Sequence, residues 1–421
     1  MENGALILTS GPFAENTPSV SLERPTKRYA INKNPNRGVG DCMTRTLCLT
    51  LMSSVVRGGV LPLVSVALAV VFALGSVLPQ DTGAFVFEAP YLKQSFLDVL
   101  KEEIETGGFD TAPQVIKESN ERQLELLEIT QQGDLTRSLA AQVELARIDL
   151  DLYESGNLMA DPLMLQAKYT LLNNLAQRSD PALYGTTAEE PGLYRVAEVV
   201  GTLPPMLVPL IPVVVGFLVL RNMESRKLLF QSPCSTISKM GAAIIAVTML
   251  SLAAFLVSLV PAFVVNTVSH GLGDPTYPAV FIQGGAIVST TIGGVLLCTF
   301  ILVAMIALFV GLLQVTLFAV LGSAVPGAAV AAALAFVPSI PQYYDKTFLL
   351  HDVAAYLPTT YLFPANVAGF PAYINAADLM PIAGANIHMG CVVLAASSSI
   401  LLVGALVACR VHQRSLRGKR C

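Results

Sequence analysis

The stretch Met240–Gly273, MGAAIIAVTMLSLAAFLVSLVPAFVVNTVSHGLG, contains no Asp, Glu, Lys or Arg. An α-helix needs roughly 20 consecutive apolar residues to cross the hydrocarbon core of a bilayer, and this stretch exceeds that length. Four others share its character: Gly58–Gln80, Val199–Leu220, Pro275–Tyr344 and Leu379–Ala408. Pro275–Tyr344 is long enough for two crossings. None alternates polar with apolar residues, which argues against a membrane β-barrel. A helix satisfies its own backbone in lipid, so it alone fits such runs. Composition agrees, with 53% hydrophobic and 13% charged residues and a mean hydropathy of +0.60, outside the range of soluble domains. The sequence reads as an all-α polytopic membrane protein, whose function lies in what it moves or senses across the membrane.

Basic residues set the expected orientation, because Lys and Arg accumulate in cytoplasmic loops. Arg24, Lys27, Arg28, Lys33, Arg37, Arg45 and Arg57 precede the first apolar run. Arg221, Arg226, Lys227 and Lys239 follow the second, and Arg410, Arg414, Arg417, Lys419 and Arg420 form the tail. These segments hold well over half of the 26 basic residues but only Glu2, Glu15, Glu23, Asp41 and Glu224 among the acids. With all three placed inside, the number of spans is even, and six are expected at 58–79, 199–220, 241–265, 289–319, 324–342 and 388–409. The fourth and fifth would share a tight turn at Gly322–Gly327. Residues 1–43, rich in Pro, Asn and Ser, are expected as a flexible cytoplasmic N-terminus, with an amphipathic interfacial segment at 44–57. The first apolar run begins too late for an ordinary signal peptide and reads as a retained anchor.

Between the first two spans lies the one large polar block, 80–198. It reads as helical, with apolar residues at helical spacing over Phe96–Ile104 and Ala112–Gln131. Asp134 suits an N-cap, Gly156 a C-terminal cap, and Pro162–Arg178 a third helix. The block is acidic, which fits either a solvated outer surface or the capture of a cationic peptide. All seven cysteines, Cys42, Cys48, Cys234, Cys298, Cys391, Cys409 and Cys421, fall outside it, so no disulfide framework is expected there. The loop at 343–387, with Tyr343, Tyr344, Tyr356, Tyr361, Phe363 and Phe370, reads as interfacial aromatic segments at the outer face.

Catalytic motifs are missing. The chain has no GxxxxGK[ST] phosphate loop, no HExxH and no GxSxG. No catalytic residue and no metal ligand set is assigned, and the expected spans carry no ionisable acid or base in mid-membrane for an ion pathway. Three features remain. The loop 221–239 runs from charge (Arg221, Glu224, Arg226, Lys227) into an apolar patch (Leu228, Leu229, Phe230). Ser232-Pro233 then breaks the chain, and Ser235 and Lys239 start the next helix. It is either a basic membrane-edge turn or a short helix that docks in a partner's groove. Pro204, Pro205, Pro209 and Pro212 at the start of span two give either a bent helix end or a flexing, gating element. The small-residue run Gly322–Ala335 allows helices to approach closely.

From about residue 44 onward, this layout resembles the membrane-spanning permease subunit of bacterial type-2 ABC exporters. The loop after span two carries the most specific likeness: Glu224, Arg226, Leu228–Phe230, Ser232-Pro233, Ser235 and Lys239. Tyr356–Tyr361 also resembles the family's outer segment before the last span. The chain departs from the family in having Ser225-Arg226-Lys227 where many members carry Gly-Thr. The resemblance implies a non-catalytic chain in the bacterial plasma membrane with both termini cytoplasmic. ATP and Mg would be held by a separate ABC ATPase subunit seated on the coupling loop, and a second permease copy or paralogue would complete the pathway. No cofactor is then expected on this chain, and no nucleic acid partner. A different class of reading, a membrane-anchored sensor or assembly protein whose outer domain binds a ligand, fits the same acidic block.

Overall fold

The computed structural model describes residues 39–59, 61, 62, 65, 67, 69, 70, 90–108, 113–130, 134–179, 184, 190–202, 204–225, 235–345, 349–369 and 380–418. Helix α1 (Val39–Arg57) begins five residues ahead of the interfacial segment expected at Thr44. The polar block follows as α2 (Pro90–Glu105), α3 (Gln114–Thr130), α4 (Leu135–Glu154) and α5 (Pro162–Ala176). Next come α6 (Gly192–Thr202), α7 (Leu207–Ser225), α8 (Thr236–His270), strands β1 (Pro278–Gln283) and β2 (Ala286–Thr291), α9 (Ile292–Leu321) and α10 (Ala324–Phe336). Short 3-10 turns between Val337 and Tyr361 and the single turn α11 (Pro364–Ala368) lead to α12 (Ile387–Gly418).

Among the described residues four helices are long and apolar enough to cross a membrane: Leu207–Ser225, Thr236–His270, Ile292–Leu321 and Ile387–Val411. The chain is thus a mostly helical, membrane-embedded protein. Its outer faces agree. Ile245, Met249, Leu256, Val257, Val260 and Val264 of α8 are exposed, as are Val392, Ile400, Val403 and Val407 of α12. Water would not tolerate such contiguous apolar surface, whereas lipid does. Most of the expected first span, 58–79, lies outside the described residues. The expected fifth, 324–342, is a shorter apolar helix of Ala324–Ser339.

Two expected spans are interrupted, each for a local reason. Residues 199–220 do not form one helix: α6 stops at Thr202 and α7 starts at Leu207. Pro204 and Pro205 lie between them, and two successive residues without an N–H cannot continue the backbone ladder. The fourth span starts at Ile292 rather than 289, because β1 and β2 pair as an antiparallel hairpin ahead of it. Gln283 pairs with Ala286, and the two turn residues, Gly284 and Gly285, have φ of 61° and 74°. Glycine takes positive φ without a Cβ penalty, which closes a two-residue turn whose twist suits the strands.

Helix α9 is central, with α7, α8, α10 and α12 all packed on it. Lipid provides little hydrophobic drive between helices, so close approach by small residues carries the association. A Cβ on Gly311 of α9 would lie 3.1 Å from Val247 Cγ1 of α8, and one on Gly327 of α10 would lie 3.2 Å from the Gln314 carbonyl. The turn from α9 to α10 is tighter than Gly322–Gly327. It consists of Gly322, left-handed at φ 73°, and Ser323, whose hydroxyl caps α10.

In the polar block α2 packs on α3, α3 on α4 and α4 on α5. Asp134 caps α4 as expected, accepting from the Thr136 and Arg137 N–H groups at 3.0 and 3.3 Å. Gly156, just past its end, has a φ of 75°. Helix α5 seats this block on the hairpin. Leu171, Leu172 and Leu175 share a core with Val280, Phe281 and Ile282. Asn174 donates to the Ser289 hydroxyl at 3.1 Å, and Arg178 pairs with Asp274.

Candidate functional site

The site expected from the sequence is the elbow between α7 and α8. Its flanks are well defined. On the last turn of α7, exposed Arg221 lies 3.7 Å from Glu224 one turn on, while Met223 between them is buried. The Asn222 amide donates to the Ser54 hydroxyl of α1. Leu47, Cys48, Leu51 and Val55, one face of α1, share a core with Val219, Leu220 and Met223. Helix α1 is therefore seated beside the elbow by both a polar and an apolar contact. Across the elbow Ser235 is the N-cap of α8, its hydroxyl accepting from the Ser238 N–H at 3.1 Å. Lys239, expected with the docking residues, is buried at 7% exposure, so its head is not presented to an outside partner. Near it, Cys409 of α12 donates to Met240 Sδ at 2.8 Å. The end of α7, the start of α8 and the last part of α12 thus meet at one end of the bundle. Arg226, Lys227, Leu229, Phe230, Ser232 and Pro233 lie outside the described residues.

The four prolines play different parts. Pro204 and Pro205 separate α6 from α7. Pro209 sits in the first turn of α7, where a missing N–H is tolerated. Pro212 lies inside the helix and removes one backbone bond there. At the next residue α7 is held from the side. Gln314, fully buried in α9, donates through Nε2 to the Val213 carbonyl at 3.1 Å. The amide fits because residue 216 is glycine: a Cβ there would lie 2.0 Å from Gln314 Oε1. Sequence reading passed over Gln314, although it is the one amide in the otherwise apolar α9.

A second group was missed altogether. Glu190, Arg195 and Glu198, at the start of α6, are buried at 7%, 7% and 4% exposure. Arg195 Nη1 donates to Glu190 Oε2 at 2.9 Å and also pairs with Glu198 Oε2. Burial, and secondly the hydrogen bond and charge of Glu198, raise the Glu190 carboxyl well above the ordinary carboxylate range. Beside it Tyr184 stacks on Tyr277 with ring centroids 4.3 Å apart, and Tyr194 meets both edge-on at 5.5 and 5.7 Å. Burial pushes the Tyr194 and Tyr277 phenols far up, keeping them neutral. The start of α6 is tied to the end of α8: the Gly192 and Leu193 N–H groups donate to the Gly271 and Leu272 carbonyls, each at 3.0 Å. The only signal in the sequence was an arginine between two glutamates at the edge of an apolar run.

Among the described residues no group of three or more His, Cys, Asp or Glu side chains converges to hold a metal ion. The described parts are an elbow with a seated helix, a proline-interrupted helix and a buried ionic cluster. No family model, curated protein or solved structure matches the chain.

Proposed function

We propose that this chain is the membrane permease subunit of an ATP-driven ABC exporter of the bacterial plasma membrane. In this reading it crosses six times with both termini cytoplasmic, and the helical block at 80–198 is extracytoplasmic. The elbow 221–239 rests on a separate ATPase subunit that binds ATP and Mg, and a second permease copy or paralogue completes the translocation pathway. Closure of the ATPase pair pushes the elbow and rotates α7 and α8 between discrete inward and outward arrangements.

The observation that carries the reading is the seating of α1 on the elbow through Ser54–Asn222 and the shared apolar core. A force applied at 221–239 would be passed to α1, α7 and α8 together, as a coupling element requires. The basic character of this end, with Arg221 and Arg410 exposed, supports its cytoplasmic side. Seating α5 on the hairpin that follows the far end of α8 supports an opposite position for the acidic block. Glu224→Arg or Arg226→Glu should release the ATPase from the purified complex and abolish ATP-dependent export while the chain stays folded. Unchanged export by loop variants that no longer bind the ATPase would refute the proposal.

A further inference from the structure

The Glu190–Arg195–Glu198 cluster has no part in the elbow, yet its geometry is specific. A single guanidinium nitrogen, Arg195 Nη1, serves one oxygen of each carboxyl group. The shared nitrogen thereby brings the two buried carboxyl groups close together. Two ionised carboxylates held so close repel one another, and a proton on one of them removes the repulsion. Charge counting agrees. Two ionised acids and one arginine leave a net charge of −1 in a site where all three side chains are at least nine-tenths buried, and such a charge is costly. One proton makes the group neutral.

We infer that Glu190 and Glu198 share a single proton and, with Arg195, form a neutral clasp that holds the start of α6 and opens when the proton is lost. The clasp is well placed to act. It joins the segment before α6 to the helix itself, beside the Gly192–Gly271 and Leu193–Leu272 bonds, and α6 leads directly into the Pro204-Pro205 break before α7. Among the described residues few other charges lie near it. Tyr194 lies beside it and packs on Tyr184 and Tyr277, and Arg178 with Asp274 lies near Tyr277. Helix α8 contributes His270, exposed at its end, while α9 and α11, also in contact with α6, contribute no charged residue. The Glu190 carboxyl, pushed up to about 8 first by burial, puts the loss of the proton in the mildly alkaline range. The inference stands whether or not the chain is an exporter.

The test uses the full chain in lipid nanodiscs, titrated from about pH 6 to about pH 10 and followed by infrared difference spectroscopy and amide hydrogen exchange. A protonated-carboxyl C=O band should disappear with a midpoint near 8 and be missing from both Glu190→Gln and Glu198→Gln. Exchange protection across 192–202, corrected for intrinsic rate, should fall about tenfold over the same range in the wild type. It should stay level in Glu190→Gln, whose neutral amide oxygen can still accept from Arg195. A wild-type chain with no carboxyl band titrating above about pH 6 overturns the inference, even if neither variant folds. So does an equal loss of protection in wild type and Glu190→Gln.

Discussion

Gly216→Ala tests how the proline-interrupted α7 is held in the membrane. The new Cβ would lie 2.0 Å from Gln314 Oε1 and 2.8 Å from its Cδ, so the amide must swing away and give up its 3.1 Å bond to the Val213 carbonyl. A side-chain hydrogen bond between membrane helices is worth about 0.6 kcal/mol on average and up to about 1.7. Overpacking adds roughly 1–3 kcal/mol, while the better helix propensity of alanine returns up to about 1. The net expectation is a loss of about 1–3 kcal/mol. Gln314→Ala removes the clashing group, so the double variant should be more stable than the sum of the single losses by at least about 1 kcal/mol. The assay is reversible unfolding of all four proteins in mixed micelles. If the two losses add within about 0.5 kcal/mol, Gln314 does not occupy the Gly216 notch and the reasoning is refuted.

The pH dependence of stability follows from Glu190. Its carboxyl is raised in the folded state, so its contribution is full below the unfolded value near 4.5, falls as pH rises and is gone above about 8. The whole span corresponds to at most roughly 5 kcal/mol; denaturant midpoints should decline across that window in the wild type and stay flat in Glu190→Gln. Gly192→Ala puts a Cβ 2.0 Å from Thr267 Oγ1 and 3.1 Å from the Phe263 carbonyl. It should lower thermal stability by about 2 kcal/mol, partly restored by Thr267→Ala, and a neutral outcome would mean that α6 and α8 are not closely packed. Asp134→Ala removes the cap of α4 and should cost about 1 kcal/mol, read as earlier melting of the helical block by circular dichroism.

The membrane-embedded helices were legible because the bilayer's demand is local: a crossing helix must be predominantly apolar along its length, so Met240–Gly273 declares itself. Caps were legible for the same reason, since Asp134 and Gly156 act within one turn of their own position. The hairpin was not. Strand β1 is buried at all six positions, so it lacks the alternation that marks a half-exposed strand and stayed unassigned between the third and fourth expected spans. Gly284-Gly285 was the remaining signal. The four prolines were visible, but only the pair at 204 and 205 breaks the helix, because Pro209 falls in a first turn. The Glu190 cluster depends on a residue outside α6 folding back onto it, which no spacing along the helix reveals. Of the expected elbow, Arg221, Glu224 and Ser235 sit at its rim, whereas Lys239 turns inward. An N-cap at Ser235 fixes the start of α8 one turn before that lysine.

The account depends most on which side of the membrane the elbow faces, because only a cytoplasmic elbow can reach an ATPase. In a cysteine-free background, Ser225→Cys and Asn157→Cys, both at exposed positions, can be probed in intact cells with a membrane-impermeant thiol reagent. The account requires residue 157 to be labelled in intact cells and residue 225 only after permeabilisation. Labelling of residue 225 from outside would contradict it.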